Sequence, residues 1–437
     1  MKQLLAYATY LPAYRVDGLG RIAASFDEDS TTMAVAAALA TGATGRPAPS
    51  VLLATSSPAY ADKTNATTVH AALGLPIDTF AADLIGTARS AMAALRLAST
   101  DGGWVLMADV RIGRPGSADE KGADGAAAFL FGDSDRDGIA EVLGRVSLTA
   151  EFLDRWREPT SVLGQQWEER FGATQYAPLV TAAMGQVLEQ AGLDSVDHVI
   201  VTSPNSGVRK AHGGSPIGFL GAADPGFALA AALDKAAPGE TILLVSATDG
   251  CDALLLGALP ALAERRQRVP LAEQRDAGIA VPYLTYLAWR GLLERELPRR
   301  PEPDRPAGPP SARAADWKFG FTGNRCTACG FVHLPPLRVC RSCGAQDAME
   351  PVRGAGLSGR IATYTVDRLA YSPSPPVVDV VVDFDGGGRC SVEVADARPD
   401  DLEIGSPVEL TFRCLFTAGG VRNYFWKARQ IREAADG

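Results

Sequence analysis

Four cysteines carry the clearest chemistry in this sequence. Cys326 and Cys329 form one Cys-x-x-Cys pair, Cys340 and Cys343 form a second, and ten residues separate the two pairs. Each pair can present two thiolates to one tetrahedral ion from a tight turn, with Gly330 and Gly344 relieving the backbone where it folds back under the metal. Four thiolates fill the shell of a zinc ion and leave no open position, so the expected metal is structural and performs no chemistry. Two redox pairs or two disulfides are the other readings of such cysteines; the doubled spacing favours zinc.

Any reaction must then be housed elsewhere in the chain. Of 437 residues, 46% are hydrophobic and 21% charged, which suits two or three globular domains with substantial cores. No apolar run reaches the roughly 18 residues of a membrane helix. Met1 to Pro12 carries one early lysine and neither a sustained apolar core nor a cleavage site, so a cytoplasmic protein is expected. The scattered Cys251, Cys390 and Cys414 agree with a reducing compartment. A formal charge of -9 argues against a broad nucleic-acid surface but leaves room for a local basic mouth that takes a phosphorylated cofactor.

The elements that would position a site alternate between strand and helix. Leu4 to Tyr10 reads as a strand, Asp27 to Thr32 as a capped entry to a helix over Met33 to Ala40, and Val51 to Ala54 as a buried strand. Helices over Asn65 to Leu73 and Ser90 to Leu97 precede strands at Trp104 to Ala108 and Gly125 to Phe131. A second pass in the same order runs through Ile139 to Leu148, a helix over Tyr176 to Gln190, His198 to Thr202, a helix over Phe227 to Lys235, then Thr241 to Ser246 and Ala253 to Gly257. Each pass has a strand ending in a small polar cluster, Thr55-Ser56-Ser57 or Thr202 to Asn205. Each closes through an Asp-Gly step, Asp124-Gly125 or Asp249-Gly250, which suggests an internal duplication.

On these residues, 1 to about 260 resemble the thiolase superfamily, closest to its hydroxymethylglutaryl-CoA synthase and ketoacyl-ACP synthase III branch. The likeness is carried by the Asp27 to Val35 helix entry, the Ala82 to Ile85 strand, Pro115-Gly116-Ser117 with Gly125 to Ala128, Gly218 to Leu233, and Pro238 to Val245. It implies an α/β fold, a five-layered αβαβα body of two similar halves. It also implies a homodimer, with acyl-CoA or acyl carrier protein delivering a thioester into a buried tunnel.

After Leu262 the chain becomes charged, then offers a helix over Tyr283 to Glu296 that could pack on either domain, and a Pro/Arg-rich linker over Pro298 to Pro310. Beyond Trp317 the ribbon is followed by strand candidates Gly359 to Val366, Val377 to Phe384, Cys390 to Val394, Val408 to Cys414 and Tyr424 to Ile431, which suit a small barrel. Ribbon plus barrel resembles the acyl-CoA-associated zinc-ribbon and OB-fold family, whose members accompany thiolases. The expected division is a body over 1–262 (halves about 1–135 and 136–262), a helix and linker over 263–316, a rubredoxin-like zinc ribbon over 317–350 and an OB-fold over 351–437. OB-folds often bind single-stranded nucleic acid on basic, aromatic grooves. Here the strands carry Asp379, Asp383 and Asp385, and Tyr424, Phe425 and Trp426 read as barrel core, so protein docking is expected instead.

The resemblance also implies where a nucleophile belongs: a cysteine opening a buried helix, whose N-terminus favours the thiolate that accepts the acyl group. Laying Asp83 to Ser90 on that pattern puts Ala88 at the cysteine position, and no cysteine lies between residues 1 and 250. The family's histidine has no counterpart in Ser203-Pro204-Asn205, Phe219 stands at the asparagine position of the Gly218-Phe219-Leu220 turn, and the glutamate base falls near Ser56. Claisen chemistry through an acyl-cysteine is therefore not expected. Candidate replacements are Ser56, Ser90, Asn205, His212 and Asp249, with Arg89 beside them. Their plainer roles are an N-cap for Ser90, an ion partner for Arg89, a turn for Asp249 and a solvated loop for His212. Cys251 reads as a buried structural thiol, and Arg209 and Lys210 as contacts to a CoA phosphate or a solvated charge pair.

Three functions follow. The resemblance implies first an acyl-CoA-handling subunit, expected to dock a cysteine-bearing thiolase partner in an acyltransferase or carbon–carbon bond forming or cleaving assembly. Alternatively it acts alone on a CoA thioester by a cysteine-independent retro-aldol cleavage or acyl transfer, or it is a non-catalytic scaffold.

Overall fold

The computed structural model describes residues 1–134, 137–212, 217–296 and 313–431, so the Pro/Arg-rich stretch lies outside the described residues. The chain divides into two compact units. Met1–Ala24, Asp29–His70 and Leu75–Leu292 form the first; Ser25–Glu28, Ala71–Gly74 and Leu293–Gly437 form the second.

In the first unit, β1 (Gln3–Tyr10), α1 (Ser30–Ala40), β2 (Ser50–Thr55), α2 (Ala66–Leu73), β3 (Phe80–Ile85), α3 (Ala88–Asp101), β4 (Gly103–Asp109) and β5 (Gly125–Gly132) make one half. The other half consists of β6 (Ala140–Thr149), α4 (Glu169–Ala191), β7 (His198–Thr202), α5 (Ser206–His212), α6 (Asp224–Leu233), β8 (Thr241–Ser246) and β9 (Gly250–Ala258). Hydrogen bonding runs β7-β8-β9-β6-β1-β5-β4-β2-β3, and the halves join where Leu4 meets Ala140. Both halves repeat one pairing scheme: β2 is parallel to β4, β5 antiparallel to β4 and β1, just as β7 is parallel to β8 and β9 antiparallel to β8 and β6. Among the described residues the second half has no counterpart of β3.

Strand alternation builds the layers. On β8 and β9, Ile242, Leu244, Leu254 and Leu256 face the same core as Leu52 of β2, Met107 of β4, Leu95 of α3 and Phe227 of α6. Leu243, Val245, Ala253 and Leu255 face the other way, onto Val180, Ala183 and Val187 of α4. Helices α3 and α6 are therefore sandwiched between the half-sheets, with α1 outside one and α4 outside the other. This is the αβαβα order that the resemblance implied. Close approach needs small residues: a Cβ on Gly226 of α6 would lie 2.7 Å from both Ala127 Cβ and Met107 Sδ.

Helix α1 begins on a capping box in which Thr32 N–H donates to Asp29 and the Thr32 hydroxyl accepts from Asp29 N–H. Past Ala258 the chain stays with this unit. Gln267 accepts from Thr9 N at 2.8 Å, Ile279–Val281 pairs with Tyr14–Val16, and helix Tyr283–Trp289 buries Tyr286 and Leu287 against Val16 and Ala23. That helix stops at Trp289, short of the expected Glu296, because Arg290 turns inward to pair with buried Asp124 at 3.0 Å and Gly291 takes φ 68.

In the second unit, Thr322–Cys326 pairs with Val332–His333 and Met349–Arg353 around the ribbon. Five antiparallel strands follow: β10 (Ser358–Asp367), β11 (Val377–Phe384), β12 (Arg389–Glu393), β13 (Pro407–Ala418) and β14 (Val421–Gln430), ordered β12-β11-β10-β13-β14. Tyr424 and Trp426 are buried and pack on Phe412, so these rings fill the barrel core. Arg413, also buried in this unit, pairs with Glu28 at 2.9 Å and Asp396 at 2.8 Å.

Candidate functional site

Ligands of open α/β sheets gather at the carboxyl ends of the parallel strands. In the first unit Ser56 follows β2, Ala88 follows β3, Asp109 ends β4, Asn205 follows β7 and Asp249 follows β8. Two contacts bring the two sets of strand ends together. Arg89 donates to the Asp249 carbonyl and pairs with Asp252 at 3.2 Å, and the Phe219 ring is shared by Arg111 of the first half and Arg209 of the second.

At the centre lies Asp109, fully buried. Its Oδ1 accepts from Thr55 Oγ1 at 2.9 Å, Ser56 N at 2.6 Å and both the N–H and hydroxyl of Ser57 at 3.0 Å. Its Oδ2 accepts from Ser56 Oγ at 2.6 Å and Ala222 N at 2.7 Å. With its lone pairs engaged, this carboxylate clamps β2 to the turn before α6. Arg111 extends the network, donating to Ser56 Oγ at 2.9 Å and to Asp119 at 2.9 Å. Burial works against both charges of the Arg111–Asp119 pair, yet Asp119 and Asp109 raise the arginine pKa, and Arg111 and Arg155 hold Asp119 below its usual range.

Guanidiniums crowd the turn that carries Phe219. Arg111, Arg155 and Arg209 stand 5.6, 6.0 and 5.7 Å from its ring centroid. Arg157 donates to the Ser56 carbonyl. Burial depresses the pKa of Arg157 and Arg209, and neighbouring arginines add to the effect.

Buried Asp224 and Asp154 both keep carboxyl oxygens without a hydrogen-bond partner. Asp224 opens α6 and accepts from Leu220 N at 3.3 Å through one oxygen only; burial pushes its pKa up to about 7, against the pull of that N–H and of Arg209. Asp154 has neither oxygen bonded, and burial raises it above the usual carboxylate range.

The residues singled out from sequence fall in several places. Ser56 Oγ is inside the Asp109 network. Ser90 is not the N-cap of α3: that residue is Thr87, whose hydroxyl accepts from Arg89 N at 3.3 Å, because α3 starts earlier, at Ala88. Asn205 is buried and caps α5, accepting from Gly207 N at 3.0 Å and Val208 N at 3.2 Å. Asp249 is an exposed turn residue with φ 51, and His212 and Lys210 are exposed on α5. Arg209 points inward, donating to Ser203 O at 2.6 Å and Pro204 O at 2.9 Å. Cys251 is packed against α4, its thiol pushed up to about 12 by burial.

In the second unit, Cys326 Sγ lies 3.7 Å from Cys343 Sγ and Cys329 Sγ 3.6 Å from Cys340 Sγ, with all four sulfurs within 4.8 Å of one another. A tetrahedron of zinc–sulfur bonds of about 2.3 Å has edges of about 3.8 Å, so the four thiols fit zinc.

Known proteins resemble both units. The family described as the ChsH2 rubredoxin-like zinc ribbon domain matches residues 320–350, and the ChsH2 C-terminal OB-fold domain matches 352–413. A DUF35 domain-containing scaffold protein of Methanothermobacter thermautotrophicus is 31% identical over 115 residues, covering 25% of this chain and 86% of that protein. Through its ribbon and barrel, the chain belongs to the DUF35 domain-containing family. The body ahead of this DUF35 module is hydroxymethylglutaryl-CoA synthase-like. A hydroxymethylglutaryl-CoA synthase of Archaeoglobus fulgidus is 28% identical over 342 residues, covering 67% of this chain and 99% of that protein. The solved structure of MvaS in complex with 3-hydroxy-3-methylglutaryl coenzyme A shares the fold, with TM-score 0.55, 18% identity and coverage of 67% of this chain and 93% of that one.

Sequence reasoning placed Phe219 and Ser56 in this thiolase-like body but missed Asp109, Arg111, Arg155, Arg157, Asp154 and Asp224. The available signal was slight: a carboxylate ending an apolar strand, and the charged run Asp154-Arg155-Trp156-Arg157.

Proposed function

We propose that the chain is an acyl-CoA-handling subunit of an acyltransferase or carbon–carbon bond forming or cleaving assembly, whose DUF35 module docks a thiolase partner that supplies the cysteine. The observation that carries this reading is Ala88 at the first position of α3. A helix start favours a thiolate there, and alanine offers nothing to acylate. Asp109 and Ser56, bound to each other, and Asn205, spent on capping α5, leave no activated nucleophile among them. Cys326, Cys329, Cys340 and Cys343 hold a structural zinc ion that stabilises the docking module, and exposed Lys210 meets a CoA phosphate. The protein works in the reducing cytoplasm, where such thiolates stay available to metal. A homodimer forms through the body, supported by edge strand β3, which among the described residues pairs only with β2 and leaves Phe80 63% and Ile85 48% exposed.

The test is a pull-down from the native host with this chain as bait, followed by acyl-CoA turnover assays on the bait and on the recovered complex. Turnover confined to a complex holding a cysteine-bearing thiolase is the expected result. Turnover by the lone chain would overturn it in favour of a cysteine-independent enzyme. That second reading is favoured by Asp224, a buried carboxyl with one free oxygen and a pKa near neutrality, suited to general acid–base work.

A further inference from the structure

The hairpin that pairs Arg155–Trp156 with Gln165–Gln166 has two faces of opposite character. Arg155 pairs with Asp119 and Arg157 donates to the Ser56 carbonyl, so one face is fastened to the body. Alternation sends Trp156, which stands between these arginines, to the other face. There its ring centroid lies 5.7 Å from that of Trp167, whose N–H donates to the Asp154 carbonyl at 2.8 Å. Trp167 is 58% exposed; Leu153, next to Asp154, and Phe171, in the first turn of α4, are exposed as well. A cluster of large apolar side chains left in water marks an interaction surface, and tryptophans on a fixed support suit its anchor positions.

Charge selects the occupant. Between residues 151 and 171 the exposed charged side chains are Glu151, Arg157, Glu158, Glu168, Glu169 and Arg170. The Arg157 guanidinium is turned to Ser56, and none of the four glutamates has an ion-pair partner among the described residues. Such an acidic rim repels nucleic acid and anionic lipid. A second copy docked here about a two-fold axis would set the same glutamates against themselves. We infer that the outer face of this hairpin docks a partner protein through a segment that combines apolar side chains with lysine or arginine. Trp156 and Trp167 anchor the apolar side chains and the glutamates meet the cations. The surface belongs to the body and not to the DUF35 module, and the assignment does not depend on the acyl-CoA reading.

Photo-cross-linking in the native host tests this, with p-benzoylphenylalanine replacing Leu153 or Phe171 in the full chain and the cross-linked peptide sequenced. The captured segment should carry lysine or arginine among apolar residues. Synthesised as a peptide, it should bind the zinc-loaded full chain in calorimetric titration. Trp167→Ala should weaken that binding about tenfold or more, the range of an interface anchor. The double variant Glu168→Lys, Glu169→Lys should weaken it comparably, and a peptide with its basic residues changed to glutamate should recover binding to that variant. Both glutamates are exposed and Glu168 makes no side-chain cap of α4, so this pair decides the matter even where Trp167→Ala disturbs the hairpin. No cross-link, a cross-link to a second copy of the chain, or a captured segment without basic residues would overturn the assignment. So would peptide binding that stays within about twofold in the charge-reversed variant.

Discussion

The hydroxyl of Ser56 donates a 2.6 Å hydrogen bond to Asp109, a carboxylate 53 residues away that is otherwise saturated by backbone and hydroxyl donors from one strand end and a turn. A position that the resemblance assigns to a catalytic base is thus occupied by a strut. Asp109→Ala would leave Thr55, Ser56, Ser57 and Ala222 without their acceptor and Arg111 with one carboxylate fewer. We expect a loss of about 3–5 kcal/mol in the stability of the first unit, and of about 1–3 kcal/mol for Ser56→Ala. Urea unfolding checks both; a loss under about 1 kcal/mol for Asp109→Ala would show that the network is not structural.

Replacing Cys326 or Cys340 by serine should release zinc and unfold the ribbon, because metal binding supplies its folding energy. The first unit should keep its own unfolding transition. Zinc content by atomic absorption, read beside circular dichroism melts, decides this; full zinc stoichiometry in either variant would rule the ribbon ligation out.

Asp224 makes stability depend on pH with a definite sign. Its folded pKa of about 7 lies above the ordinary aspartate value of 3.8, because burial disfavours the charge, so the folded state holds the proton more tightly than the unfolded chain. Stability contributed by the neutral carboxyl is therefore complete below about pH 4, declines as pH rises towards 7 and is absent above it, a span of order 4 kcal/mol at most. Asp224→Asn should flatten that slope between pH 4 and 7 and make the protein more stable at pH 8 than the wild type. An unchanged slope would mean that the carboxyl is ionised throughout.

Glycine-to-alanine changes in two helices should have opposite signs. In α4 nothing lies within 4 Å of a Cβ on Gly185, so Gly185→Ala should stabilise by about 0.5–1 kcal/mol through helix propensity. In α6 the added methyl of Gly226→Ala meets Ala127 and Met107, and overpacking should cost about 1–3 kcal/mol net. Thermal melts of the two variants distinguish them, and a stabilised Gly226→Ala would show that the central helix layer has room to give.

What this sequence determined by itself is whatever depends on near neighbours along the chain. Cys326 to Cys343 specified a metal ribbon because both pairs close their own turns. Strands such as His198–Thr202, Thr241–Ser246 and Val377–Phe384 were legible to the residue because apolar runs bounded by turn residues are local patterns. The repeated Asp-Gly steps marked β5 and β9, yet Asp124 is buried between Arg21 and Arg290 while Asp249 stands exposed in a turn. The same dipeptide carried no information about that difference. Only the tertiary structure decided that Asp109 is a saturated clamp, that Arg209 turns inward to Phe219 with Arg111 and Arg155, and that Asp224 is held near neutrality. The physical reason is that a charge acquires its role from the donors, cations and desolvation around it. Here these come from strand ends and a turn up to 113 residues apart, which meet only when the two halves pack across α3 and α6.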